Sequence, residues 1–538
     1  MTEPLATGER PATPARLVGR RHVLIGAGVT VVAAGCGSGA GSGAGSSAAE
    51  PASSPPTTGA PLPTTPDPAS LIEQPEERRS SGGTLATTLT AASGPLSIGG
   101  RQLTGQTYEG GTPGPTLRLD PGDTLRISLV NQLEPVTGGG GMGNGGNGGG
   151  GGMAGMASGA ATNLHTHGLH VSPEGNGDNV FITIDEGQTQ EYDIAIPADH
   201  WGGLNWYHPH HHGNVSVQVL GGMLGALIIS GPLDEVPEVA AATEQVVILQ
   251  RLQQGPAMIA QMSAMHDNAF LSGNGGPTFA VNGKVDQSIT LRPSQIQRWR
   301  ILNADPIDYF NVALVDGDGT PVPGSLHILA HDGMTLPAVR TVDSQLMVPG
   351  NRLDVLVQMP AATGEVRLVG QAVPGFGQPD ITFLTVDVAG EPVSMGVPDE
   401  LPVQTEPIPA EAVQTRRTVQ FGSWTNAMTI NGVSFDDGPD EVPMMVGSVE
   451  EWTIENLSDQ AHAFHIHTNP FYVVAENGKP VAAPTFYDTY PIPAATGEGS
   501  PGSITVRFRP TEFTGRIVQH CHILPHEDAG MMGVVVLT

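Results

Sequence analysis

One phrase occurs three times in this chain, and it narrows the fold more than any other feature. The first copy is a turn, Pro121-Gly122-Asp123, followed by residues 124–130, TLRISLV, in which apolar and polar residues alternate up to Asn131. The second is Pro293-Ser294-Gln295 followed by residues 296–303, ending on Asn303. The third runs from Met444 through the turn Gly447-Ser448 to Asn456. Alternation with a period of two is the pattern of a strand with one buried face. Recurrence at a spacing of about 160 residues marks a duplicated domain. A chain of 538 residues is also too long for one core, and its 73 Gly and 47 Pro suit many turns and few long helices. The expectation is an all-β fold of three β-sandwich domains at 81–232, 243–392 and 413–538, with the Pro-rich stretch 392–409 as a linker.

What precedes the first domain is of another kind. Arg20-Arg21 stand before an apolar run over residues 23–34, too short to cross a bilayer. The pair resembles a twin-arginine export signal, and Ala33-Ala34-Gly35-Cys36 resembles a bacterial lipobox with Cys36 as the lipidated residue. Residues 1–35 are therefore expected to be an export signal. Residues 36–80, rich in Gly, Ala, Ser, Pro and Thr, are expected to form a flexible tether on the outer side of the cytoplasmic membrane. The formal net charge of −30 argues against nucleic acid or an anionic membrane surface as a partner, which leaves the lipid at Cys36 as the membrane contact. A second low-complexity stretch, 138–161, interrupts the first domain with Gly and with Met142, Met153 and Met156. It reads as a surface insertion, with Cu(I) capture by its thioethers as the sharper alternative.

Ten of the 18 histidines fall into four clusters: His165-Thr166-His167, His208-Pro209-His210, His462-Ala463-Phe464-His465-Ile466-His467, and His520-Cys521-His522 with His526. On a strand, residues i and i+2 project from one face about 6.7 Å apart, so both rings of a His-x-His pair aim into one site. One pair alone is commonly a surface accident. Four pairs supply eight imidazoles, which surround a metal cluster if the first and third domains meet. Cys521, between two such histidines, turns its sulfur to the opposite face. With His462, His526 and Met531 it makes a His₂Cys set with a thioether, the donors of a blue-copper electron-transfer centre.

In order and spacing these clusters resemble the signature of three-domain multicopper oxidases, over about residues 81–538. The ending His526-Glu527-Asp528-Ala529-Gly530-Met531-Met532 looks most like the bacterial copper-efflux oxidases and spore-coat laccases. The resemblance implies cupredoxin-like Greek-key domains and four coppers per chain. By it, His462, Cys521, His526 and Met531 hold the type 1 ion, His165 and His465 the type 2 ion, and His167, His208, His210, His467, His520 and His522 the type 3 pair. Thr166 and Ala463 depart from the family's usual Trp and Pro at positions that are not ligands.

The activity implied is oxidation of a small reducing substrate coupled to reduction of dioxygen to water. Four-electron reduction also needs four protons. Glu527 is the candidate proton relay, the plainer role being to orient a ligand histidine, and Asp178 resembles the family's other acidic helper. A laccase-like oxidase of phenols is the leading expectation. A cuprous oxidase is the alternative, resting on Met258, Met262 and Met265, which a helix would bring to one face beside His266. A core-packing Met stripe is the plainer reading of those residues. A non-enzymatic cupredoxin relative is disfavoured because all ten histidines and Cys521 are present. A two-domain nitrite reductase would lack the histidine pair that flanks Cys521. The second domain carries no cluster and is expected to be a spacer.

Overall fold

A computed structural model describes residues 66–134, 160–252, 277–374, 378–422, 428–439 and 441–538. Residues 1–35, expected to be an export signal, Cys36, Met142, Met153 and Met156 of the expected insertion, and Met258, Met262, Met265 and His266 lie outside the described residues.

Among the described residues the strands form six sheets, in three consecutive pairs along the chain. In each pair one sheet is built on the same parallel contact. Thr84–Ile98 lies beside Thr124–Gln132, Thr243–Leu252 beside Ile296–Asn303, and Thr415–Phe421 beside Glu450–Asn456. The second strand of each contact is one copy of the phrase repeated in the sequence. In the first and third copies the alternation is visible as burial: Leu125, Ile127 and Leu129 are buried, as are Trp452 and Ile454, with the intervening side chains turned outward. Ile296–Asn303 is buried at every position, polar residues included, because it lies inside a six-stranded sheet with neighbours on both faces.

Each sandwich closes on its own apolar core. One gathers Leu89, Ile127, Tyr192 and Leu227, the next Trp299, Phe310, Leu356 and Val386, and the last Trp452, Phe464, Phe508 and Val535. A further cluster joins all three: Leu204, Trp206 and Ile228 meet Val246, Ile248 and Leu302, and Leu524 completes it. This shared patch holds the first and third sandwiches against the second and sets the strand ends that carry histidine facing one another.

Residues 66–80, expected to belong to a tether, pack against the sandwiches instead. Ile72 is buried in the core of the second sandwich, and its N–H donates to Gln245 Oε1 at 2.8 Å. Glu77–Arg79 pairs in parallel with Thr116–Leu119 of the first sandwich. Residues 66–80 thus strap two sandwiches together. Among Pro, Ser and Thr, the apolar Leu71-Ile72 pair and a three-residue edge strand are too short to stand out as a pattern.

Candidate metal centre

The four His-x-His pairs converge on one site between the first and third sandwiches. His165–His167 is a short strand paired antiparallel with Gly203–His208, with His165 opposite His208. In the third sandwich His462–Ile466 pairs with Gly515–Cys521, with His465 opposite His520. Strand alternation puts both rings of a pair on one face: centroids are 5.6 Å apart for His165 and His167, 6.0 Å for His208 and His210, 5.1 Å for His465 and His467, and 5.5 Å for His520 and His522. Across the boundary the His165 ring stacks on that of His467 at 3.7 Å, and His167 on His465 at 3.9 Å. His210 Nε2 faces His520 Nε2 at 3.2 Å, and His167 Nδ1 faces His522 Nε2 at 3.2 Å. All eight rings are buried.

The donor atoms fit a metal cluster. His165 Nδ1 is 2.9 Å from Asp178 Oδ2, His208 Nδ1 is 2.8 Å from the Pro209 carbonyl, and His465 Nδ1 is 2.7 Å from the Asp488 carbonyl. Carbonyls and ionised carboxylates only accept, so each of these Nδ1 atoms carries the ring hydrogen and each Nε2 keeps a lone pair. The Nε2 atoms of His165, His208, His465 and His467 and Nδ1 of His522 are buried without a hydrogen-bond partner among the described residues. Buried, unsatisfied ring nitrogens are costly in an empty protein and are what cations need. Burial, reinforced by the neighbouring rings, holds His167, His208, His210, His465, His467 and His522 well below the usual imidazole range, and burial lowers His520 to about 3. Neutral imidazoles are the ligand form. Ligand atoms lie within 4.8 Å of one another in the sets His165/His167/His208, His165/His465/His467 and His210/His467/His520.

Cys521 opens a second site on the other face of its strand. Its Sγ is 3.5 Å from His462 Nδ1 and 3.6 Å from His526 Nδ1, and those two nitrogens are 3.1 Å apart. Met531 is buried in the same apolar cluster as Cys521. The Cys521 N–H donates to the Met531 carbonyl at 3.1 Å, which ties the ligand-bearing loop to the strand. Burial pushes the Cys521 thiol up to about 12, so its thiolate needs a cation beside it. A thiolate and two imidazoles, with a thioether nearby, are the donors that copper takes.

Two acids singled out in the sequence stand at the histidine cluster. Asp178 accepts from the Thr166 N–H at 2.8 Å as well as holding His165. Glu527, in the short helix Leu524–Asp528, has Oε2 3.1 Å from His520 Nδ1 and Oε1 3.5 Å from His210 Nδ1, contacts too poorly aligned to be hydrogen bonds. Burial, then Asp528, raises its carboxyl well above the usual range. His211 and His212 turn elsewhere, to the Thr183 hydroxyl at 3.3 Å and to Asp436 Oδ1 at 3.0 Å.

One group was not foreseen. Asp488 Oδ1 is 3.1 Å from His167 Nε2, and its carboxylate takes two hydrogen bonds from Arg352 of the second sandwich. Gly350 of the same segment packs on His522 so closely that a Cβ there would lie 3.0 Å from the ring. The second sandwich is therefore not merely a spacer, since it lines the histidine cluster. A lone Asp at a strand boundary and an Arg at a strand start carry no spacing signal that would have revealed this.

Comparison with known proteins points the same way. Residues 157–234 and 406–538 match family profiles described as multicopper oxidase. A multicopper oxidase of Staphylococcus haemolyticus is 25% identical over 440 residues, covering 80% of this chain and 83% of that protein. A laccase of Bacillus subtilis is 24% identical over 477 residues, covering 80% and 90%. Among solved structures, a laccase-like multicopper oxidase from Ochrobactrum shares the fold at TM-score 0.66 and 24% identity, covering 87% of this chain and all (100%) of that one. A metallo-oxidase of Campylobacter jejuni does so at 0.65 and 22%, covering 88% and 99%. The two profile matches fall on the two sandwiches whose histidines face each other, and with those histidines and Cys521 arranged as copper chemistry requires, the chain is similar to multicopper oxidases in sequence, fold and site.

Proposed function

We propose that this oxidase is laccase-like, taking single electrons from a phenolic or other small aromatic reductant at the Cys521 site and passing four of them, with four protons, to dioxygen to give two waters. The Cys521 site would hold one copper ion and the eight clustered histidines three, and copper would supply the one-electron redox chemistry. The observation that carries the reading is the position of Cys521. Its sulfur faces His462 and His526, while His520 and His522 on either side face the cluster, so the two sites are joined by a few covalent bonds of one strand.

The remaining residues have assignable work. Asp178 holds His165 by the nitrogen that would otherwise turn inward. Glu527 is the proton donor to the cluster: its burial favours the protonated form, and both oxygens lie near ring nitrogens of His210 and His520. Export by the twin-arginine-like segment and anchorage through a lipid on Cys36 complete the proposal, and rest on residues 20–36 of the sequence.

The test is Cys521→Ser in the copper-loaded protein. Blue absorption and oxidase activity are expected to vanish while copper among the histidines is retained. A blue Cys521→Ser protein refutes the assignment, and a wild type that shows no phenol-dependent oxygen uptake refutes the laccase-like part.

A further inference from the structure

Under the cluster, residues of the second sandwich and one corner residue of the third form one connected group. Arg352 begins the strand Arg352–Gln358, and Asp332 sits in the turn between Leu326–His331 and Met334–Val342. Asp488 lies at the corner where the third sandwich passes from Lys479–Tyr487 in one sheet to Thr489–Ile492 in the other. Arg352 donates to both Asp488 oxygens, at 2.7 and 2.6 Å, and to the Leu204 carbonyl of the first sandwich at 3.2 Å. Asp332 accepts from the backbone N–H groups of Arg352 at 2.9 Å and of Asp488 and Thr489 at 3.2 Å each. Asn351 spans the same joint, donating to Asp332 at 3.1 Å and to the Thr489 carbonyl at 2.8 Å. The joint is tight: a Cβ on Gly168 would lie 2.2 Å from an Arg352 nitrogen. All three charged side chains are buried.

We propose that Asp488, clamped by Arg352 and Asp332, is a positioning residue for the metal cluster, and that through it the second sandwich sets the geometry of a site whose ligands come from the other two. This rests on the oxidase reading above. Asp488 touches two stacked ligand candidates in opposite senses. Its side chain takes the hydrogen of His167 Nε2, which leaves Nδ1 as the donor nitrogen. Its backbone carbonyl takes the hydrogen of His465 Nδ1, which leaves Nε2. One residue therefore fixes the tautomer of a histidine from each flanking sandwich. The Thr489 hydroxyl donates to Asp488 Oδ1 at 2.9 Å and lies 3.3 Å from His167 Nε2 and 3.2 Å from His465 Nδ1, which closes the space for any other ring orientation. A buried carboxylate needs a partner to stay in place, and the two-pronged guanidinium supplies one with a defined direction. Residues that hold a ligand's far nitrogen commonly govern metal affinity by about ten- to a hundredfold.

The experiment uses the full-length, copper-loaded protein and the variants Asp488→Asn and Arg352→Lys. An Asn amide would turn an NH₂ against a donor, either His167 itself or the Arg352 guanidinium that clamps the side chain, so the hold on the His167 ring is lost or loosened. Expected are at least about a tenfold loss of cluster copper in competition with a chelator and an altered electron paramagnetic resonance signal from the cluster. The blue signal of the Cys521 site, which Asp488 does not touch, should stay unchanged. Asp332→Asn, one contact further from the rings, keeps the test open if Asp488→Asn does not fold, with a smaller shift of the same kind expected. Variants that only melt earlier, with cluster copper and resonance as in the wild type, overturn the proposal and make the trio a purely structural clamp. A wild type that binds no copper refutes the oxidase reading itself, so the two failures are distinguishable.

Discussion

Glu527 is the residue on which electron flow and proton flow should separate. It is buried beneath His210 and His520 and carries no aligned hydrogen bond. Replacing it with Gln keeps the shape and removes the exchangeable acid. Steady-state turnover should fall by about a hundredfold or more. Anaerobic bleaching of the blue colour by substrate should keep its rate, since no proton from Glu527 is needed there, while recolouring by oxygen slows. Equal slowing of both phases would mean that Glu527 only shapes the site. At this scale the sequence was legible where chemistry repeats at short range. The His-x-His pairs and Cys521 announce themselves by spacing, and Glu527 by following His526 in a segment that resembles the family's. Asp488 does not, because its partner His167 lies 321 positions away and only the folded chain brings them together.

Two short helices show how elements brace the site. Val215–Gly221 begins at Asn214 without a side-chain cap of its own. Its free N–H groups are taken instead by Asp528, which accepts from Gly213 at 2.8 Å, Val215 at 3.2 Å and Ser216 at 2.8 Å, and also from the Ser216 hydroxyl. Asp528 ends the helix Leu524–Asp528 of the third sandwich, so a cap that is normally local ties one sandwich to another. Asp528→Ala leaves several buried donors unpaired and should cost on the order of 2–4 kcal/mol, read as a lower midpoint of denaturant unfolding. Asp528→Asn, which retains one acceptor oxygen, should fall between. No helix signal marked either element, since both are shorter than two turns and are stabilised by contacts rather than periodicity.

For the molecule as a whole, the thrice-repeated phrase was the readable part, because alternation and turn chemistry survive duplication. The joints between sandwiches were not readable, for they depend on single polar residues and on the strap at residues 66–80. Ile72→Ala tests that strap. Removing its buried side chain should cost about 2–4 kcal/mol of stability and leave the copper-to-protein ratio unchanged. Loss of copper in that variant would show that the strap also governs the cluster. The cluster itself joins distant parts of the chain, since His167 and His522, with ring nitrogens 3.2 Å apart, are 355 positions apart in sequence. An ion held by both closes most of the described chain into a loop that the unfolded state does not have. Metal at a hundredfold excess over its dissociation constant adds about 2.7 kcal/mol to the folded state. Stripping the copper should therefore lower the unfolding temperature and hasten proteolysis between the first and third sandwiches. The protein's lifetime then becomes a gauge of how much copper its surroundings supply.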